Sequence, residues 1–270
     1  MRFSEFIELV KVEYMMVAAE ILRRKAALFT IVAWPYVLML FVVIIGSIMG
    51  GFTYFQQNVG VNPLLFFITG SYLLMTSLAF FDEIASRFLY DEFIGTLPYV
   101  IISPTSKVVL ALTMGIPRLI INVLMGLTSL IPIYVYLRGP QGVLDAFVVI
   151  LLSIFSALTF ATLAVIFASI VLISGGKWRA MNILRPLMLL LSGVMYPRYL
   201  LPLITKLITG FVPLAHSVEV IQLFIRYNTF SEYMFMLMGI ATALAIIYLP
   251  ISMKGLRAWE LKYIKEGAKT

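Results

Sequence analysis

The chain has 270 residues, of which 62% are hydrophobic and only 12% charged; soluble domains carry about 45–50% apolar and about 25% charged residues, so a water-soluble globule and a disordered chain are both excluded. The net charge of +7, from 20 Lys+Arg against 13 Asp+Glu, reads in so apolar a chain as a topology signal rather than a nucleic-acid footprint. There is no cysteine and a single histidine, His216, which removes disulfides, thiol catalysis, thiolate metal sites and multi-His centres.

Residues 1–25 place Phe3, Phe6, Ile7, Val10, Tyr14, Val17, Ala18 and Ile21 at spacings of 3 and 4. Glu5, Glu8, Lys11, Glu20 and Arg24 fall mostly on the other side. This predicts an amphipathic helix lying along the inner membrane surface, with Glu20 and Arg24 as an i,i+4 pair. Anchoring of the first span and docking of a partner both stay open for it. Charge recurs through Lys25 before any long apolar run, so no secretory signal is expected.

Residues 26–81 contain no Asp, Glu, Lys or Arg and are divided by Gly50-Gly51 and Gln56-Gln57-Asn58. They predict spans at about 28–50 and 63–81. The cytoplasmic connection 82–117 follows, with Asp82-Glu83, Arg87, Asp91-Glu92, Gly95-Thr96 and Ser103-Pro104-Thr105-Ser106. By composition alone it is a solvated loop. Further spans are predicted at about 118–137, 146–174 and 233–253, each able to cross about 30 Å of hydrocarbon at 1.5 Å per residue. A fifth span, about 180–197, requires Arg185 to snorkel at its entry. Residues 198–224 are interrupted by Pro202, Lys206, Gly210 and Pro213. They predict short helices dipping back into one leaflet, covered by protein or a water-filled cavity. Residues 254–270 form a basic tail whose Trp259 and Tyr263 suit an interfacial anchor.

Six spans put both termini on one side of the membrane. That side collects 16 of the 20 Lys+Arg and is therefore cytoplasmic. A seventh full span at 199–224 would turn Lys254, Arg257, Lys262, Lys265 and Lys269 outward, against the same rule. The expected fold is an all-α polytopic membrane protein. One six-span domain occupies 26–253, behind an amphipathic interface helix, with a re-entrant segment after the fifth span.

No phosphate-binding loop is present. The one Gly-Lys pair is Gly176-Lys177, and Val171 stands where such a loop needs glycine. Dinucleotide, zinc-protease and nucleophile-elbow motifs are also missing, so no catalytic residue, metal site or cofactor is assigned. The predicted spans hold almost no Asp or Glu, which argues against ion-coupled transport and against an intramembrane enzyme. His216 and Glu219 share one helical face and are read as capping and solvent-contact residues. What is left is a translocator driven by a separate subunit, with a non-transporting scaffold or an intramembrane enzyme as the alternative and an ion-coupled transporter behind them.

Two segments carry a family resemblance. Asp91-Glu92-Phe93-Ile94-Gly95-Thr96-Leu97, followed by Ser103-Pro104-Thr105-Ser106, resembles the Glu-x-x-Gly-Thr-Leu element and Ser-Pro turn after the second span of permease subunits of type-2 ABC exporters. Ser192-Gly193-Val194-Met195-Tyr196-Pro197, Leu201-Pro202 and Val212-Pro213, with Glu219 beyond, resembles the elements around the fifth span of that family. Val212 stands where the family carries Asn. The resemblance implies an export permease for an amphipathic or hydrophobic substrate (a drug, lipid or glycan). It implies two copies of a separate ATP-binding subunit, which hold ATP and Mg, and a second permease subunit, identical or related. It places Asp91, Glu92, Gly95, Thr96 and Pro104 at the ATPase contact. It places Ser192, Gly193, Tyr196, Pro197, Pro202, Pro213 and Glu219 at an outer gate.

Overall fold

The computed structural model describes residues 3–23, 25–48, 51–174, 177–194 and 196–266, apart from some side chains of the first three helices, of the helix after 177, of Tyr199 and of Glu266. The expected Glu20–Arg24 pair and Lys269 lie outside the described residues. Every regular element described is helical. In chain order they are α1 (Phe3–Arg23), α2 (Lys25–Ile48), α3 (Gly51–Val59), α4 (Pro63–Phe93), α5 (Leu97–Ile102) and α6 (Lys107–Arg138). Then come α7 (Gln141–Ile173), α8 (Lys177–Ser192), a 3-10 turn (Arg198–Leu200), α9 (Leu203–Thr209), α10 (Pro213–Tyr227) and α11 (Glu232–Glu266). Four of these helices, α4, α6, α7 and α11, are long and apolar enough to cross a membrane. The number is five if α9 and α10, bent by 108° at their junction, make one span. The fold fits a multi-pass membrane protein.

Local chemistry sets the ends of the long helices. Asn62 accepts a hydrogen bond from the Leu64 N–H at 2.9 Å, and Pro63 takes the first helical position of α4, where its missing N–H costs nothing. α4 stops at Gly95, whose φ of +79° is open to glycine at no steric cost. Arg138-Gly139 closes α6, and Asn228, at φ 54°, closes α10.

α7 is central and packs against α4, α6, α8, α10 and α11. Its inward face is small, with Ala146, Ala157, Ala161, Ala164 and Ala168 all buried, so neighbouring backbones approach closely. Larger groups from α4 fill the remaining space: Tyr72, Phe80, Phe81, Ile84 and Phe88 are essentially inaccessible. Two buried hydroxyl pairs join helices, Tyr72 with Ser153 at 3.0 Å and Thr69 with Tyr134 at 2.8 Å. α1 packs on α6, and α2 is held to α6 by Tyr36, whose hydroxyl donates to the Thr128 carbonyl at 2.6 Å.

Several boundaries differ from the sequence expectation. The connection 82–117 is mostly helix: α4 runs on to Phe93 and α6 begins at Lys107. No proline or glycine interrupts 82–93, so the acids sit on the last turns of a long helix rather than on a loop. α7 starts at Gln141, which brings Asp145 inside a helix. α8 ends at Ser192, short of 197, because Gly193 takes φ +70°. α11 absorbs most of the tail in one helix through Glu266.

Candidate functional site

The long helices alternate in direction. One end of the bundle carries the turns at 94–96 and 103–106, and the other carries those at 60–62, 139–140 and 228–231. Each end holds one of the two predicted clusters.

At the 94–96 end, Asp91 organises the close of α4. Its carbonyl accepts from the Thr96 N–H at 2.8 Å, and its Oδ1 accepts from the Thr96 hydroxyl at 3.0 Å. Its Oδ2 lies 3.8 Å from Arg87 Nε, one helical turn back. Arg87 Nη2 also reaches Met16 Sδ of α1 at 3.1 Å. Glu13 of α1 is buried near Arg87 and Asp91. Burial pushes its carboxyl above the ordinary range; the Arg87 charge opposes this and the Asp91 charge adds to it. The first helix thus meets the end of α4 through Arg87.

The turn at 103–106 is held from the start of α6. Lys107 Nζ donates to the carbonyls of Ser103 (2.7 Å) and Thr105 (3.1 Å) and lies 3.8 Å from Glu260 of α11. Pro104 is exposed on this turn. Trp259 packs against Phe88 with ring centroids 5.1 Å apart and planes tilted by 58°, and Lys262 Nζ caps the last turn of α7 through the Ile173 carbonyl at 2.9 Å.

The structure therefore joins Asp91, Gly95 and Thr96 in one capping motif. Glu92 sits beside it, and Pro104 follows on the next turn, after α5. Three residues to which the sequence assigned no role are exposed along the same stretch: Phe93 (88% exposed), Tyr99 (72%) and Ile102 (77%). Their signal was faint, since an apolar residue in an apolar chain stands out only once its position on the surface is known.

At the opposite end, the second motif forms a compact polar knot. Ser192 is buried; its hydroxyl donates to the Leu189 carbonyl at 3.0 Å and accepts from the Val194 N–H at 3.4 Å. The carbonyls of Gly193 and Tyr196 accept from the Gln222 side-chain amide at 2.8 and 3.4 Å. The Tyr196 hydroxyl donates to the Leu190 carbonyl. Pro197 and Pro202 flank the 3-10 turn, and Pro213 takes the first position of α10. Gly70 of α4 is needed here, because a Cβ on it would stand 2.8 Å from the Val194 carbonyl oxygen.

Arg198 is the centre of the knot. Its Nη1 donates to Glu219 Oε2 and to His216 Nδ1, both at 3.0 Å. His216 Nε2 lies 2.9 Å from the Gly210 carbonyl. A guanidinium can only donate and a carbonyl can only accept, so the ring is neutral with its proton on Nε2. Glu219 Oε1 accepts from Tyr233 of α11 at 3.1 Å, and Tyr248 donates to the Phe211 carbonyl at 2.6 Å. The bend between α9 and α10 is therefore fastened to α11 at two points. His216 and Glu219 do share a face, but their partner is Arg198 rather than solvent alone. Arg198, Gln222, Tyr233 and Tyr248 left no local signal, because each acts across a long stretch of chain.

Among the described residues no group of three or more His, Asp or Glu is placed to hold a metal ion. No protein-family model, no curated protein and no solved structure matches the chain.

Proposed function

We propose that this chain is the membrane subunit of an ATP-driven exporter of the type-2 ABC class, working with separate ATP-binding subunits. The observation that carries the reading is the face at 91–104. Phe93, Tyr99 and Ile102 are exposed beside Glu92 and a rigidly capped Gly95-Thr96 turn. Exposed apolar and aromatic groups beside one acid, on a turn fixed to the end of a 31-residue helix, make a surface on which a soluble motor can push. A rigid helix passes such a push along its length.

In this reading α2 and α8 complete six spans, with α9 and α10 re-entrant and both termini cytoplasmic. The excess of Lys+Arg at the 94–96 end supports that orientation. The functional unit pairs this chain with a second permease subunit and two ATP-binding subunits. The path serves an amphipathic or hydrophobic substrate.

The test is co-expression with a candidate ATP-binding subunit, co-purification, and reconstitution in liposomes. Recovery of a stable complex with ATP-dependent efflux is the expected result. Failure to bind or stimulate any ATP-binding subunit overturns the proposal and leaves a scaffold.

A further inference from the structure

A small open pocket of about 40 Å³ lies at the 60–62 end, between the turn entering α4 and the far half of α10. Its apolar wall is Val61, Phe66 and Leu223, and its polar wall includes Arg198, Glu219 and Arg226. Glu219 is already engaged by Arg198 and Tyr233. Nearby, Arg138 is engaged by Asp145.

Arg226 differs from both of these arginines. It stacks on Tyr227 with the guanidinium carbon 5.1 Å from the ring centroid. No carboxylate among the described residues stands within ion-pair distance of it. Gly60 gives it room, since a Cβ there would come within 3.3 Å of its Nε. Arg226 is exposed, and its guanidinium lies between the Gly60 turn and the Tyr227 ring, with its fork left for an outside acceptor.

From this geometry we infer that the mouth of the pocket binds the phosphate-type oxyanion of an amphipath, with Arg226 as the principal contact and the half-buried Leu223 beside the adjoining apolar part. Two guanidiniums against one carboxylate leave the pocket one positive charge in excess. A planar fork matches a phosphate through paired, charge-assisted hydrogen bonds. An ammonium or other cation would instead meet Arg226 head-on. The chemistry is shared by a membrane lipid headgroup and by a soluble phosphate ester. The site does not rest on the exporter reading, because binding is measured on the chain without an ATP-binding partner.

Native mass spectrometry of the detergent-purified full chain tests it, with hexadecyl phosphate, hexadecanol and inorganic phosphate as probes. Hexadecyl phosphate is expected to bind, hexadecanol is not, and Arg226→Gln is expected to weaken binding roughly tenfold or more, the loss of one charge-assisted contact. Competition by inorganic phosphate assigns the site to soluble phosphate esters; its failure to compete assigns it to lipid headgroups. Absence of hexadecyl phosphate binding, equal binding of hexadecanol, or an Arg226→Gln variant that binds like the parent overturns the inference. Should that variant not fold, Arg226→Lys keeps the charge and removes the fork; weaker binding is expected, and unchanged binding overturns the inference equally.

Discussion

Arg198 Nη1 donates to Glu219 Oε2 at 3.0 Å and so ties the 3-10 turn to the middle of α10 across a 108° bend. The two side chains are each only 16% exposed. Removing one partner of such a pair leaves a charge that neither water nor protein satisfies well. Arg198→Gln is expected to cost about 3 kcal/mol, the low end for a broken buried pair. Arg198→Gln/Glu219→Gln is expected to recover most of that loss, because no charge is left stranded. Thermal unfolding in detergent micelles, followed by tryptophan fluorescence, checks the order of the variants. A double variant as unstable as the single would refute the pairing account.

The same pair shows where the sequence could be read and where it could not. The long spans were legible because charge-free runs of about 20 residues have one physical meaning. The broken stretch after Gly193 was legible because Pro197, Pro202 and Pro213 forbid one continuous helix. Arg198 carries no local signal there, and only folding brings it to His216 and Glu219. Likewise the acids at 82–92 were visible as a cluster, while their place on the end of α4 was not. Helix continuation through charged residues depends on what lies beyond the membrane edge, and periodicity alone does not report that. The seating of Arg226 over Gly60 depends on a contact 166 positions apart in the chain, which no local pattern encodes.

Glu13 sets a pH dependence. Burial raises its carboxyl, Arg87 opposes the rise and Asp91 adds to it. A carboxyl held higher in the folded state than in the unfolded one contributes stability at low pH and loses it as pH rises through the folded value. Glu13→Gln mimics the neutral form, so its advantage over the parent is expected to be absent below the ordinary carboxylate range and to grow toward neutral pH. Thermal midpoints of parent and variant across that range check the sign. A gap that narrows with rising pH would contradict it.

Gly95 and Asp91 make the close of α4 rigid. Any Cβ at φ +79° is strained, so Gly95→Ala is expected to cost about 1–2 kcal/mol locally. Asp91→Asn weakens the charge-assisted acceptance from the Thr96 hydroxyl. Under the proposed function, both variants insert normally yet show transport reduced several-fold at unchanged binding of the ATP-binding subunit. Glu92→Ala and Phe93→Ala, by contrast, are expected to weaken the binding itself. Pull-down and efflux measured on the same liposome preparations separate the two effects. Full transport in all four variants would remove this face from coupling.

Arg138 anchors the other end of α10. It donates to Asp145 Oδ2 at 2.8 Å, to Asn228 Oδ1 at 3.0 Å and to the Ile225 carbonyl. One side chain thus pairs with a buried carboxylate of α7, caps the last turn of α10 and fixes the left-handed residue that ends it. A cation at that position also meets the negative end of the helix dipole. Arg138→Ala strands Asp145, which is 5% exposed, and frees a helix-end carbonyl, so a loss of about 3–5 kcal/mol is expected. Asp145→Asn leaves Arg138 its two acceptors on α10 and should cost about 1–2 kcal/mol. Hydrogen exchange of the α10 amides distinguishes the two roles. Arg138→Ala should deprotect the last turn of α10, whereas Asp145→Asn should leave it protected. Equal protection in both variants would mean that the α6–α7 hairpin, and not the capping of α10, is what Arg138 stabilises.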